Sequence, residues 1–273
     1  KTTLVSALTG LWTDTHSEEL KKGISIRLGY ADARFFKCEK CTPPTFGNSQ
    51  TCPKCGKEAA LLRKVSFVDA PGHETLMATM LSGAALMNGA VLVVAANEQC
   101  PQPRTEEHLM ALKMSGVKDI VVAQNKIDLV NKEKAIENYK QIKNFLKEYG
   151  YENAPIIPTA ANFNTNIDIL IESIENTIKT PKFDDSKKLK MYVVRSFDVN
   201  KPGTKPSDLK GGILGGSIIQ GEIKKGQEII VSPGLSGKTL KTKVVSLHVE
   251  EGEIEKARPG GLISIETLFD PNI

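Results

Sequence analysis

Over the first 181 residues, short apolar runs alternate with longer amphipathic stretches. Residues 65–68 (VSFV), 90–95 (AVLVVA), 120–123 (IVVA) and 156–157 (II) read as strands. Nearly continuous apolar runs of this kind suit strands covered on both faces, as in a parallel sheet. Helical periods fall between them. Residues 74–87 are long and apolar, and residues 105–114 follow two prolines that suit a helix start. Residues 132–149 place Ala135, Ile136, Tyr139, Ile142 and Phe145 at three- and four-residue steps, with lysines and glutamates elsewhere. Residues 167–178 repeat that pattern. Strand, helix, strand, helix predicts an α/β fold, a mostly parallel sheet with helices on both faces.

The pattern changes after Pro181. Residues 182–190 are charged and read as a linker. From Met191 onward the helical period is gone, and short Val- and Ile-rich runs at 191–194, 217–220, 228–231 and 244–247 are broken by glycines and prolines. Twelve of the 22 glycines lie in the last 83 residues, a density of turns that predicts a β-barrel domain over 191–273.

Length agrees with this division, since 273 residues at ~150 per domain suggest about two domains. With 40% hydrophobic and 25% charged residues, disorder and low-complexity classes are excluded. No apolar run reaches the ~18 residues of a membrane span, so none is expected, nor any membrane partner; no leader is seen, but at an end that looks cut this carries no information. Both ends look cut: the chain opens on Lys1 without a methionine and closes just after a strand-like run, which predicts part of a longer protein. The net charge of +4 is too mild to identify a partner.

Five cysteines add chemistry. Cys38, Cys41, Cys52 and Cys55 form two C-x-x-C pairs ten residues apart. Two such knuckles suit tetrahedral thiolate ligation of zinc, in a structural role because four sulfurs leave no open position. Coincidental spacing and a redox pair are the competing readings. The knuckles predict a zinc-binding insertion over about residues 36–58, within an α/β domain spanning 1–181. Cys100 reads as an ordinary thiol.

Four further pieces point to one ligand. Lys1-Thr2-Thr3 leading into an apolar helix looks like the tail of a phosphate-binding loop, with Lys1 on the β- and γ-phosphates and the Thr2 hydroxyl on Mg²⁺. Asp69-Ala70-Pro71-Gly72-His73 follows the strand at 65–68. There Asp69 suits Mg²⁺ held through water, and Gly72 lets a phosphate approach its backbone N–H. Asn125-Lys126-Ile127-Asp128 follows the strand at 120–123. The Asp128 carboxylate suits the N1–H and 2-amino donors of guanine, the Lys126 stem suits the face of the base, and Asn125 can tie neighbouring loops. Thr159-Ala160-Ala161 follows the strand at 156–157 and offers a backbone N–H for guanine O6. Each piece alone is weak. Together they stand at successive strand ends, the edge of an open sheet where ligands bind.

In these motifs the chain resembles the translational GTPases of the elongation-factor-Tu-like class. More narrowly it resembles the gamma subunits of archaeal and eukaryotic translation initiation factor 2. The resemblance covers nearly the whole chain and is carried by WTDTHSEELKKGISIRLGY (12–30), the four-cysteine insertion, DAPGHETLMATMLSGAALM, CPQPRTEEHLMAL, RSFDVNKPG and LKGGILGGSIIQG. It implies a P-loop GTPase domain that binds GTP or GDP, with Mg²⁺ and Zn²⁺. In that pattern Ser25 closes over Mg²⁺ from the first switch, Gly23 lends a carbonyl to a second Mg²⁺, and Gly72 senses the γ-phosphate. His73 orients the attacking water, and Thr159 replaces the more usual Ser. The implied hydrolysis to GDP and phosphate is slow unaided and raised by a partner. The implied partners are the alpha and beta subunits of a heterotrimer, methionylated initiator tRNA, the small ribosomal subunit and the mRNA initiation complex. Most of the barrel's lysines (201, 205, 210, 224, 225, 238, 241 and 243) read as solvated rather than as tRNA contacts. The pattern also places phosphate-loop glycines before Lys1 and a third β domain after Ile273, so this stretch alone is expected to bind GTP poorly. Two rivals remain: an elongation-type carrier of aminoacyl-tRNA, and a zinc-ribbon RNA-binding module on an inactive GTPase fold.

Overall fold

The computed structural model describes residues 1–10, 29–69, 86–200, 205, 211–234, 237–249 and 251–270. The chain forms two compact units, Lys1–Pro181 and Lys182–Ile273. In chain order the first contains α1 (Thr2–Thr9), β1 (Gly29–Cys38), β2 (Thr45–Gly47), β3 (Ala60–Asp69) and β4 (Ala90–Ala95). It continues through α2 (Pro103–Met114), β5 (Ile120–Asn125), α3 (Lys132–Glu148), β6 (Ile156–Pro158) and α4 (Ile167–Thr177).

Strands β4, β5 and β6 form a parallel sheet in that order, with Ala90 opposite Ile120 and Val122 opposite Ile156. Every residue of β5 is buried. Its alternating side chains enter two different cores, as the two faces of a strand require. Val121 and Ala123 pack with Leu4 and Leu8 of α1 and with Leu170, Ile171 and Ile174 of α4. Ile120 and Val122 pack with Leu109 and Leu112 of α2 and with Ile142, Phe145 and Leu146 of α3. The parallel sheet with helices on both faces is therefore present. Helix α2 opens with Pro103 in its first turn, and α3 is capped by Asn131, whose side chain accepts from the Lys134 N–H at 3.0 Å. The helix expected over 74–87 lies almost wholly outside the described residues.

A second, antiparallel sheet runs in the order β2-β1-β3. The strand expected at 65–68 is longer than its apolar run suggests, extending from Ala60 to Asp69. Strand β1 pairs with it from Gly29 opposite Asp69 to Lys37 opposite Ala60. In β1, Ala31, Ala33 and Phe35 are buried while Asp32, Arg34 and Phe36 between them are not, the period of a half-buried strand. Arg63 of β3 fastens this sheet to the end of α4. Its guanidinium donates to Glu175 Oε1 at 2.7 Å, Thr180 Oγ1 at 3.0 Å and the Ile178 carbonyl at 2.7 Å. Arg63→Ala should lower the unfolding free energy by about 2 kcal/mol, because Glu175 loses its partner in a partly buried setting. Arg63→Lys should recover little of it, since an ammonium cannot serve three acceptors in a plane. Chemical denaturation of the two variants checks both outcomes.

The second unit contains β7 (Lys190–Phe197), β8 (Ile213–Gln220), β9 (Ile223–Lys224), β10 (Glu228–Val231), β11 (Leu240–Val249), β12 (Gly252–Ile254), β13 (Lys256–Ala257) and β14 (Ile263–Thr267). Its main sheet runs β10-β11-β14-β8-β7, with β12 on β11, and β13 pairs with β9. All of these pairings are antiparallel. Ile218, Ile223, Val244, Leu247, Ile263 and Ile265 form its core. Gly216 of β8 lies so close to β7 that a Cβ would collide with the Tyr192 carbonyl. Residues 182–190, expected as a linker, are held by this unit: the Asp184 carbonyl accepts from the Gly221 N–H at 2.9 Å, and Leu189 packs on the core. Among the described residues no helix is long and apolar enough to cross a membrane.

Candidate nucleotide and metal sites

The two C-x-x-C turns meet at the far end of the β1–β3 hairpin. Cys38 ends β1, and Cys52 and Cys55 lie on the knuckle that precedes β3. The second knuckle closes through the Gly56 N–H on the Cys52 carbonyl at 2.8 Å, with Gly56 at a φ of 68° that favours glycine. Sulfur separations are 3.6 Å for Cys38–Cys55, 4.0 Å for Cys38–Cys41 and 3.8 Å for Cys41–Cys52, and all four atoms lie within 4.8 Å of one another. A tetrahedron with Zn–S bonds of ~2.3 Å has edges of about 3.8 Å, so the four sulfurs fit such an ion. Their acidities are unequal, and burial raises the Cys38 thiol. Against burial, which raises it, backbone N–H groups of Cys55 and Lys54 bring the Cys52 thiol down to about 7. The Cys41 thiol stands at about 11: its bond with Thr45 lowers it, but burial and the neighbouring cysteines outweigh that. Without a cation, further thiolates would crowd one another. Cys100 is elsewhere, in the core beside Leu109 and Leu112, and burial pushes its thiol up to about 11.

At the opposite end of β3, Asp69 is buried and its Oδ2 accepts from Thr2 Oγ1 at 2.9 Å. This bond joins the first turn of α1 to a strand end across 67 residues. Lys1 Nζ lies 3.4 Å from His108 Nδ1 of α2. Although Lys1 as a residue is exposed, desolvation of its ammonium lowers its pKa, with Asp69 opposing and Arg104 assisting. Thr3 is half-buried in the first turn of α1. Gly23, Ser25, Gly72 and His73 lie outside the described residues.

The third grouping joins the ends of β5 and β6. The Asn125 side chain is buried, and its Oδ1 accepts from the Ala161 N–H at 3.0 Å and from Thr159 Oγ1 at 3.4 Å. The Asn125 carbonyl accepts from Ala96 N–H at 2.7 Å, which adds the loop after β4. Lys126 takes the left-handed conformation (φ 64°, ψ 34°), unusual for a residue with a Cβ. It leads into a 3₁₀ turn, Ile127–Leu129, on which Asp128 is exposed. The N–H groups of Thr159, Ala160 and Ala161 are all donated within the protein, to the Gln124 carbonyl, the Thr165 carbonyl and Asn125 respectively. Ala161 heads the 3₁₀ turn Ala161–Phe163, of which Asn162 is the middle residue.

Several buried positioning residues stand outside the motifs. Gln124 donates to the Ala135 carbonyl at 2.8 Å and to Asn138 Oδ1 at 2.9 Å, and Asn138 donates to the Glu98 carbonyl at 2.8 Å. This buried chain holds the end of β5 against α3. Its signal was available, because Asn138 sits in the apolar period of Ala135, Ile142 and Phe145. His108, beside Lys1, carried no such signal.

Residues 1–180 match the family of the Elongation factor Tu GTP binding domain. The chain is 58% identical to translation initiation factor 2 subunit gamma of Methanothermobacter thermautotrophicus, over 99% of this chain and 69% of that protein. It is 55% identical to the corresponding protein of Pyrococcus furiosus, over 99% of this chain and 67% of that one. Among solved structures, a bacterial selenocysteine-specific elongation factor superposes with a TM-score of 0.74 at 27% identity, covering 97% of this chain and 39% of that chain. The elongation factor SelB of Methanococcus maripaludis, solved with the GTP analogue GppNHp, has the same fold. Its TM-score is 0.72 at 22% identity, covering all of this chain and 50% of that one.

Proposed function

Since the chain belongs to the translation initiation factor 2 gamma-subunit family of translational GTPases, we propose that it binds GTP with magnesium through Lys1, Thr2, Thr3, Asp69 and Gly72. Asn125, Lys126 and Asp128 select guanine, with the Thr159–Ala161 loop tied to them through Asn125. Lys1 neutralises the β- and γ-phosphates, and the open N-terminal turn of α1 favours the same negative charge. Thr2 and Asp69 hold the magnesium, with Ser25 from the first switch and Gly23 toward a second ion; magnesium there supplies charge neutralisation on the phosphate oxygens. The Thr2–Asp69 hydrogen bond at 2.9 Å carries this reading, because it brings the two expected ligands together from distant parts of the chain.

Hydrolysis uses His73 to orient the attacking water. A neutral imidazole offers less charge stabilisation than an arginine finger, so turnover is slow alone and rises when a partner completes the site. Loss of the γ-phosphate releases the contacts of Ser25 and Gly72 and relaxes both switches. Joined to alpha and beta subunits, the protein carries methionylated initiator tRNA to the mRNA-bound small ribosomal subunit in the cytoplasm and releases it after hydrolysis. Zinc at Cys38, Cys41, Cys52 and Cys55 acts as a structural staple.

Thr2→Ala should weaken magnesium-dependent GTP binding roughly ten- to thirtyfold, the loss of one strong ligand interaction. His73→Ala should leave binding intact and lower single-turnover hydrolysis. Fluorescent-nucleotide titration and a phosphate-release assay on the full-length protein check both. Unchanged GTP affinity in Thr2→Ala would refute the magnesium assignment. Preference for initiator over elongator tRNA, measured with GTP bound, separates this carrier from an elongation-type one.

A further inference from the structure

The cysteine insertion reaches back to the helix that carries Lys1 and Thr2. Between Cys41 and Cys52 lies β2, whose Thr45, Phe46 and Gly47 pair with Cys38, Lys37 and Phe36 of β1. Pairing with Cys38 ties this short strand directly to the four-sulfur cluster. Phe46 packs into the core that contains Leu4 and Leu8 of α1. Immediately after β2, the Asn48 amide donates to the Ala7 carbonyl at 3.0 Å and to the Leu8 carbonyl at 3.1 Å.

The last four carbonyls of an α-helix lack partners within it. In α1 the Ser6 carbonyl accepts from the Gly10 N–H at 2.8 Å. Asn48 serves the next two. A carboxamide presents two N–H donors, and donors also suit the negative end of the helix dipole. One side chain of the insertion thus closes the C-terminal end of an eight-residue helix whose other end, ~12 Å away, holds Thr2 against Asp69. So short a helix has little stability of its own and takes its position from what holds its ends.

We propose that Asn48 is a positioning residue for nucleotide binding: the metal-stapled insertion, acting through the Asn48 amide, sets the placement of α1 and hence of Lys1 and Thr2. The inference rests on the nucleotide reading given above. On this view the zinc cluster serves the GTP site as well as its own knuckle. The coupling is physical and short, running from Cys38 to Thr45, to Asn48, to the carbonyls of α1.

The test is GTP affinity in the presence of magnesium, measured on the full-length protein together with its zinc content. Asn48→Asp keeps the shape but turns an oxygen toward two carbonyls, and should raise the Kd for GTP about tenfold with zinc content unchanged. Asn48→Ala should raise it about threefold, and Asn48→Gln, which retains both donors, should recover most of the loss. Chelating the zinc should weaken GTP binding in the wild type but add little in Asn48→Ala, because one path has already been cut. Wild-type affinity in a zinc-replete Asn48→Asp protein would overturn the proposal. So would an equal effect of chelation in wild type and Asn48→Ala. Lys1→Ala and Thr2→Ala are the reference arms. If they leave GTP binding unchanged, the nucleotide reading itself fails; if they weaken it while Asn48→Asp does not, only the positioning role fails.

Discussion

Asp128→Asn is expected to weaken GTP binding by roughly 10²- to 10⁴-fold and to make xanthosine triphosphate the better ligand. The size follows from the chemistry of the base. A carboxylate accepts from both N1–H and the 2-amino group of guanine, and each charge-assisted hydrogen bond contributes about 1.5–3 kcal/mol. Asparagine offers one acceptor and a donor that faces the 2-amino group. Xanthine carries an oxygen at that position, and the new donor suits it. Asp128 is exposed on its 3₁₀ turn and makes no side-chain hydrogen bond among the described residues, so the substitution changes the pocket without removing a structural contact. Competition between GTP and xanthosine triphosphate for the full-length protein measures the switch. A GTP affinity within twofold of wild type would remove Asp128 from the site.

The second large effect is expected on removing the metal. Structural zinc contributes folding free energy directly, about 10–16 kcal/mol in isolated finger peptides near neutral pH. Here the parallel sheet and its two cores hold the rest of the unit, so the loss should be local. Hydrogen exchange should show residues 36–61 opening on chelation, including the Lys37–Ala60 end of the β1–β3 ladder, while β5 stays protected. Acidification should act in the same direction. Ligation requires thiolates, so protons compete with the metal and release it as pH falls. Unchanged protection over 36–61 after verified metal loss would show that the cysteines do not staple the hairpin.

The elements most legible from sequence were those whose side chains obey one rule along their length. Strand β5 is apolar at successive positions because both faces are covered, and α3 repeats its apolar stripe with a 3.6-residue period. Strand β1 was not legible. Its buried Ala31 and Ala33 are small, and Asp32, Arg34 and Lys37 interrupt them, so the hydrophobic signal is faint although the backbone ladder is long. The motifs at Asp69, Asn125 and Thr159 were readable because each is contiguous and stands at a strand end. What joins them was not. Asn48 meets α1 from 40 and 41 residues away, Arg63 meets Glu175 across 112, and Lys1 meets His108 across 107. Such pairings leave no period in the chain, because they are fixed by how the strands and helices pack. The Thr159–Ala161 loop shows a subtler limit. Its sequence offers backbone donors, but hydrogen bonding within the fold has already claimed all three N–H groups.

Asn125 also bears on how quickly nucleotides come and go. Its carboxamide and carbonyl clasp the loops after β4, β5 and β6 through bonds between protein groups alone. On the nucleotide reading proposed above, these bonds need no nucleotide atom, so encounter rates for guanine, xanthine and adenine nucleotides should be similar. Discrimination among them is carried by residence time, and a weaker nucleotide is one that leaves sooner. A cell whose GTP pool falls would therefore empty this protein at a pace set by dissociation.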